Sequence, residues 1–118
     1  MHEMAIAQGV LDIALDYARR NEATRISCVS LLLGEMSGVE TSSLEFCFAA
    51  LTKGTIAESA RLLFHRCPLV ARCRSCGHEG PVLSRSFFCP DCGQGALEII
   101  SGREMQVEYL EVDGWKSR

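Results

Sequence analysis

The sequence predicts an α+β fold in which two helices pack on a small β-sheet and a cysteine-rich segment is inserted between two of the strands. Three observations support this prediction. Apolar residues recur at helical spacing within residues 3–20. Apolar and polar residues alternate within residues 105–109, as they do in a half-buried strand. Two Cys-x-x-Cys pairs lie in the chain between these segments.

The first helix is predicted from an apolar stripe made of Met4, Ala7, Val10 or Leu11, Ala14, Leu15 and Ala18. Ser42 and Glu45 have the spacing of a capping box, which predicts the start of a second helix that stops at Gly54. Its apolar face would contain Leu44, Cys47, Phe48 and Leu51. The predicted strands are residues 24–33, 60–66, 97–100 and 105–109.

The two Cys-x-x-Cys pairs are separated by twelve residues, and a glycine follows each pair. Each pair can therefore form a tight turn whose sulfurs and backbone amides point toward one centre. Four thiolates in a tetrahedral array suit a closed structural zinc site, and the alternatives are disulfides or an iron–sulfur centre. We predict a zinc-ribbon subdomain whose Zn(II) ligands are Cys73, Cys76, Cys89 and Cys92.

This assignment divides the chain into two domains. Residues 67–103 form the zinc ribbon, and residues 1–66 and 104–118 form the α+β domain from which it is inserted. Because the ribbon lies between two strands of the sheet, both of its connections lead back to the α+β core.

Composition limits the classes of protein. Hydrophobic residues make up 47% of the chain, which is ordinary for a globular protein. No apolar run reaches transmembrane length, and the N-terminus lacks the basic region and apolar core of a signal peptide, so we expect a cytoplasmic protein with reduced thiols and no membrane partner. The seven cysteines, an odd number, agree better with metal binding than with a disulfide framework.

Charge argues against nucleic acid as a partner. The formal net charge is −3, and four thiolates with one Zn²⁺ add two negative charges to give −5. Four arginines nevertheless lie in or beside the ribbon, namely Arg66, Arg72, Arg74 and Arg85. They could contact phosphates, but we favour the interpretation that they balance the negative zinc–thiolate centre.

The remaining reactive side chains fit structural roles. Cys47 lies on an apolar helix face and Cys28 in a strand, and both are predicted core residues. Nothing positions Cys67 as a nucleophile. His65 is predicted on a strand surface. His78 is predicted to donate a hydrogen bond near the zinc or to face solvent, rather than to replace a thiolate. The sequence has no recognisable catalytic set, so we predict that the protein is not an enzyme.

Met1-His2-Glu3 can form a metal chelate. The α-amine, the His2 backbone nitrogen and the His2 imidazole Nδ1 close a five- and a six-membered ring, and the Glu3 backbone nitrogen can complete a planar set of four nitrogens. Such a plane suits Ni²⁺ or Cu²⁺ better than tetrahedral zinc. On its own this pattern carries little weight, because a histidine at position two is common by chance.

Three motifs in this order resemble a known family. They are Met1-His2-Glu3, the run Val39–Phe48 and the two Cys-x-x-Cys pairs, and together they make the chain similar over its full length to HypA/HybF-type hydrogenase maturation factors. The resemblance implies a nickel metallochaperone that delivers Ni(II) to the large subunit of a nickel–iron hydrogenase, with a structural Zn(II) site. It implies a nickel-binding GTPase of the same maturation pathway as a partner, and urease as a further target in some relatives.

Carried over by position, the resemblance assigns His2 as the nickel anchor, Met1 as the donor of the α-amine, and Glu3 at or beside the site. The domain formed by residues 1–66 and 104–118 would then be the nickel-binding domain. Some relatives have a histidine directly after the second cysteine pair, whereas this chain has Gly93, which leaves only His78 for any exchange at the zinc site. We expect a monomer or a weak homodimer.

Two other functions remain open from the sequence. The protein could be a zinc-ribbon module in a nucleic-acid or protein assembly, which would bind no nickel. It could also be a thiol redox enzyme that uses a Cys-x-x-Cys pair, which would require reactive, zinc-free cysteines.

Overall fold

The computed structural model describes residues 2–82 and 87–114. The chain divides into two compact units, which are described separately below. The first unit comprises Met1–Leu32, Gly38–His65 and Gln106–Arg118, and the second comprises Leu33–Ser37 and Arg66–Met105. Residues 33–37, which the sequence prediction placed in the α+β domain, thus cluster with the cysteine-rich unit.

Two helices, α1 (Glu3–Arg20) and α2 (Thr41–Thr52), pack against each other in the first unit. The buried side of α1 consists of small and aliphatic side chains: Ala7, Val10, Leu11, Ala14 and Ala18. Alanine dominates this face, so the backbones of the helices can approach closely. Two residues of the predicted stripe are not fully buried: Met4 is exposed and Leu15 is half-buried.

The start of α2 differs from the predicted capping box. The N-cap residue is Glu40, whose carboxylate accepts hydrogen bonds from the Ser42 backbone N–H at 3.0 Å and from the Ser42 hydroxyl at 2.5 Å. Ser42 is therefore already inside the helix, and its hydroxyl is used as a donor to the cap. A glutamate side chain is long enough to do this, although shorter side chains are the usual caps.

A three-stranded sheet has the order β2–β1–β6, with β1 at Arg25–Gly34, β2 at Arg61–Cys67 and β6 at Met105–Asp113. The central strand β1 is buried over most of its length, which explains its nearly continuous apolar sequence. No residue of β2 or β6 is fully buried, as expected for edge strands with alternating sequences. The predicted α+β fold, with two helices and a cysteine-rich insertion, is confirmed.

A polar row crosses this sheet. The hydroxyl of Ser30 on β1, which is buried, donates to Glu108 Oε1 on β6 at 2.9 Å. His65 Nδ1 on β2 lies 3.2 Å from Glu108 Oε2. The hydrogen bond from His65 and then that from Ser30 lower the pKa of Glu108 below its ordinary value. The ionised carboxylate thus joins all three strands, and His65 is on the surface as predicted.

The second unit contains a smaller sheet with the order β4–β3–β5, made of Val70–Cys73 (β3), Glu79–Pro81 (β4) and Leu97–Ser101 (β5). Both neighbours of β3 are antiparallel to it. A short 3-10 helix at Glu35–Ser37 also belongs to this unit. The sequence prediction contained β5 but neither β3 nor β4.

Two glycines bring distant backbone segments together in this unit. A β-carbon at Gly34 would lie only 2.0 Å from the carbonyl carbon and oxygen of Gly102. The Gly34 N–H donates to the Glu104 carbonyl oxygen at 2.8 Å, and the Met36 N–H donates to the Gly102 carbonyl oxygen at 2.7 Å. The approach is therefore fixed by backbone hydrogen bonds at Gly34 itself and at Met36.

We expect Gly34→Ala to lower the free energy of unfolding by about 2 kcal/mol or more, because the methyl group can be accommodated only if the backbone moves. Urea denaturation measures the change. Gly9→Ala is the matched control, since nothing lies within 4 Å of the added carbon and alanine favours a helix over glycine. Equal stability of the wild type and Gly34→Ala would contradict the close approach.

We expect Glu108→Gln to reduce the loss of stability in acid. Since the folded-state pKa of Glu108 is lowered, its carboxylate stabilises the fold above the unfolded-state pKa of about 4.3, and this contribution is lost as the pH falls through the folded-state value. Thermal melts between about pH 3 and 7 test this, with Glu45→Gln, at an exposed position of α2, as the control. If the melting temperatures of the wild type and of Glu108→Gln change with pH in the same way, the expectation is contradicted.

Candidate metal centres

The four cysteines predicted as zinc ligands come together in the second unit. Their sulfur atoms all lie within 4.8 Å of one another, and among the described residues they form the one such group of histidine, cysteine or acidic side chains. Cys73 and Cys89, the first of each pair, are buried, whereas Cys76 and Cys92 are exposed. The first pair follows from the end of β3, and the second precedes β5.

The two pairs adopt the same turn. In each, the glycine after the pair donates its N–H to the carbonyl oxygen of the first cysteine at 2.9 Å, from Gly77 to Cys73 and from Gly93 to Cys89. Both glycines have positive φ, 81° and 73°, which other residues rarely adopt. The spacing Cys-x-x-Cys-Gly thus encodes a backbone turn as well as two ligands.

The sulfur geometry fits a tetrahedral zinc ion. A Zn–S distance of about 2.3 Å places the four sulfurs of a tetrahedron about 3.8 Å apart. The distances from Cys73 Sγ to Cys92 Sγ and from Cys76 Sγ to Cys89 Sγ are both 3.6 Å. Both are far longer than a disulfide bond of about 2.0 Å, and all four cysteines are free thiols.

The backbone favours a thiolate at Cys73. The backbone N–H of Cys76 is the main cause that lowers the pKa of Cys73 to about 6. The hydrogen bond from the His78 backbone lowers the pKa of Cys76, but the hydrogen bond with Cys89 and burial outweigh it and raise that pKa to about 12. The pKa of Cys92 is raised as well.

Burial also raises the pKa of Cys28. Cys28 is fully buried on β1 and is a core residue, as predicted, whereas Cys47 and Cys67 are only half-buried.

His78 joins the two cysteine turns. Its Nδ1 atom lies 2.9 Å from Asp91 Oδ2, and Asp91 is one of the two residues between the cysteines of the second pair. The carbonyl oxygen of His78 also accepts the Cys73 backbone N–H at 2.8 Å. The histidine therefore makes hydrogen bonds around the cluster, which is the role favoured from the sequence.

Two of the four arginines near the ribbon form ion pairs with glutamates of the same unit. Arg72 Nη2 lies 3.1 Å from Glu79 Oε1, and Arg74 Nη2 lies 3.4 Å from Glu98 Oε2. Glutamate neighbours compete with phosphate groups for these guanidinium groups. Arg85 lies outside the described residues.

The predicted nickel residues lie at the start of α1. His2 is the N-cap residue, with an exposed side chain, and its carbonyl oxygen accepts the backbone N–H groups of Ala5 at 3.1 Å and Ile6 at 3.2 Å. Glu3 is the first helical residue, and N–H groups in the first turn of a helix have no intrahelical acceptor. Met1 lies outside the described residues.

The side chain of Glu3 has a structural contact that the sequence did not predict. Its Oε2 atom accepts the Glu40 backbone N–H at 3.2 Å, so the first residue of α1 is joined to the N-cap residue of α2. Glu3 and Glu40 are 37 positions apart in the sequence, so no local sequence pattern could indicate this contact. Glu40 itself lies inside the Val39–Phe48 run on which the family resemblance was based.

A sequence model of the family described as "Hydrogenase/urease nickel incorporation, metallochaperone, hypA" matches residues 1–112. The hydrogenase maturation factor HypA of Geobacter sulfurreducens is 44% identical over 115 residues, which cover 96% of this chain and all of that protein. The protein of the same name from Chlorobaculum tepidum is 41% identical over 113 residues, with the same coverage of both chains.

The fold is similar to solved structures as well. The solution structure of the nickel metallochaperone HypA from Helicobacter pylori superposes with a TM-score of 0.70 at 23% identity, covering 96% of this chain and 98% of that one. A second HypA solution structure gives a TM-score of 0.73 at 24% identity, covering 95% and 96% of the two chains. The resemblance found in the sequence is thereby confirmed: the chain belongs to the HypA family of metallochaperones for hydrogenase and urease nickel incorporation.

Proposed function

We propose that this protein is a non-catalytic cytoplasmic carrier that binds one Ni(II) at its N-terminus and delivers it to the large subunit of a nickel–iron hydrogenase. The observation that carries the proposal is the position of His2, an exposed side chain at the N-cap of α1, in a chain of this family. No described helix is long and apolar enough to cross a bilayer.

The proposed nickel ligands are the Met1 α-amine, the His2 backbone nitrogen and Nδ1, and the Glu3 backbone nitrogen. An N-cap position suits this set, because the first N–H groups of a helix lack intrahelical acceptors, so metal binding at the Glu3 nitrogen breaks no helical hydrogen bond. The His2 carbonyl oxygen, which starts the helix, is not a ligand and can keep its bonds to Ala5 and Ile6.

Glu3 has two separate roles in this proposal. Its backbone nitrogen completes the ligand plane, whereas its carboxylate holds the Glu40 N–H and so fixes the beginning of α1 against the beginning of α2. A planar four-nitrogen set selects Ni²⁺ over Zn²⁺ by geometry. The carboxylate contributes to this selection by limiting the motion of the first helical turn.

The second proposed site is structural. Cys73, Cys76, Cys89 and Cys92 bind Zn(II) as a closed set of four thiolates, with no open position for chemistry. We propose that residues 67–103 act as the zinc-ribbon domain and that residues 1–66 and 104–118 act as the nickel-binding domain. The ion pairs of Arg72 and Arg74 support this assignment over a nucleic-acid-binding ribbon.

Delivery requires a partner that receives the ion. We propose the nickel-binding GTPase of the maturation pathway as the direct partner and the hydrogenase large subunit as the destination, with urease as a further target. The test is transfer of Ni(II) from the loaded protein to an apo-hydrogenase large subunit, with and without the GTPase. If the loaded protein transfers Ni(II) no faster than free Ni(II) enters the large subunit, the proposal that the protein is a carrier is contradicted.

We expect Cys89→Ser to lose the single zinc ion, because an incomplete thiolate set no longer encloses the metal. The helices lie in the first unit, so far-UV circular dichroism should largely persist. Metal analysis and circular dichroism measure the two effects, and Cys47→Ser, outside the cluster, is the control. Loss of all helical signal in Cys89→Ser would contradict the division into two domains.

We expect an extension of a few residues before Met1 to weaken nickel binding as severely as His2→Ala does. The extension converts the Met1 α-amine into an amide and moves the free terminus away from His2. Calorimetric nickel titration measures the effect, and zinc content should remain unchanged. A histidine-free C-terminal extension of equal length is the matched control. One equivalent of nickel bound with wild-type affinity by the N-terminally extended protein would refute the site.

A further inference from the structure

A cleft of about 400 Å³ lies between α2 and β2 in the first unit. One of its walls is a single stripe of α2, because Phe48, Ala49 and Thr52 follow Glu45 by three, four and seven positions. Phe48 and Thr52 are buried, whereas Glu45 and Ala49 are exposed. The helical wall therefore combines an apolar inner part with an open outer part that carries a methyl group and a carboxylate.

The opposite wall is formed by consecutive residues of β2, namely Arg61, Leu62 and Leu63. Successive side chains of a strand point to opposite faces of the sheet. Leu62 is half-buried and its two neighbours are exposed, which is the alternation expected of such a strand. Since residues of both faces line the cleft, the cleft follows the edge of β2 and does not lie over one face of the sheet.

This edge of β2 has no strand beside it in the part of the chain that the structure describes. The strand is the outermost member of the sheet β2–β1–β6 and pairs with β1 alone. An outer edge presents backbone N–H and C=O groups that can pair with another chain. β2 has seven residues and contains neither proline nor glycine, the residues that most often interrupt such pairing.

The charge of the cleft is negative. Two carboxylates, those of Glu45 and Glu58, line it together with the single guanidinium group of Arg61. Glu58 Oε1 accepts the Gly54 backbone N–H at 3.2 Å, which leaves the charge of the carboxylate in place. The side chain of Glu45 has no hydrogen bond or ion pair to any other residue that the structure describes. Its carboxylate can therefore pair with a cation supplied by another molecule.

We propose that this cleft binds an extended, basic segment of a partner protein, which adds to the sheet as a strand beside β2. The backbone of the segment pairs with the outer edge of β2 and supplies most of the affinity. Every second side chain points toward α2, where an apolar one packs on Phe48 and Ala49 and a basic one reaches Glu45. None of the lining residues belongs to Met1-His2-Glu3 or to the cysteine cluster, so docking does not depend on nickel binding.

A synthetic peptide tests the cleft by NMR titration of the zinc-loaded protein. The peptide is blocked at both ends and has valine, lysine and valine alternating with four threonines, which favours an extended backbone. We expect saturable shifts of amide signals in α2 and in residues 61–63, with a Kd of about 1 mM or tighter. A wild type that shows no saturable binding at several millimolar peptide overturns the proposal.

Filling the cleft should remove the binding. Ala49→Trp places a large side chain at an exposed position of the helical wall, so we expect at least tenfold weaker binding of the peptide. Ala50→Trp is the matched control, because Ala50 is also exposed but does not line the cleft, and it should bind like the wild type. Equal affinity of Ala49→Trp and Ala50→Trp would show that the peptide binds elsewhere.

Methylation of peptide nitrogens tests the addition of a strand. In a strand, residues of one parity direct N–H and C=O toward one neighbouring strand, and residues of the other parity direct them away from it. We therefore compare a peptide methylated at the threonine nitrogens with one methylated at the valine and lysine nitrogens. One of the two should bind at least tenfold more weakly and the other like the parent peptide. Equal binding of both methylated peptides overturns strand addition.

Charge reversal tests the basic character of the segment. Replacing the lysine of the peptide by glutamate should weaken binding to the wild type at low salt, and added salt should reduce the difference. Glu45→Lys should reverse the preference, so that it binds the glutamate peptide more tightly than the lysine peptide. If both proteins prefer the same peptide, Glu45 does not contact the segment and the assignment of a basic partner is wrong.

Discussion

The convergence of four sulfur atoms is the constraint on which the second unit depends. This unit has a three-stranded sheet whose longest strand has five residues, and few of its side chains are fully buried beyond Ala71, Cys73 and Cys89. Such a small apolar core contributes little to stability, so small domains commonly rely on metals or disulfides. The cysteine turns replace a hydrophobic core by a cluster of ligands whose positions are set by backbone hydrogen bonds.

The two proposed metal sites differ in how their ligands are brought together. The cysteine cluster draws on two separate turns, so its ligands converge only when the whole unit folds. The proposed nickel ligands belong to consecutive residues, of which His2 has an exposed side chain, so that set can form locally. A site that encloses its ion suits a permanent structural metal, whereas a site at the end of a chain suits an ion that must leave.

Elements with strong local periodicity could be predicted from the sequence. The bounds of α1 follow from its stripe of alanines and leucines, and the cysteine spacing identified the cluster that forms. The strands β3 and β4 have four and three residues, too few for a pattern to emerge. The contact between Glu3 and Glu40 could not be predicted, because it depends on how two helices meet and not on either sequence.

The meeting of Gly34 and Gly102 limits which sequences this fold can accept. Most crowded positions in a protein core tolerate a larger residue if a neighbouring side chain becomes smaller. At Gly34 the neighbours are main-chain atoms of Gly102 and the nitrogen of Arg103, the latter 2.6 Å from any added β-carbon. No substitution elsewhere can remove main-chain atoms, so a mutation at position 34 has no compensating partner and relief requires a shift of the chain itself.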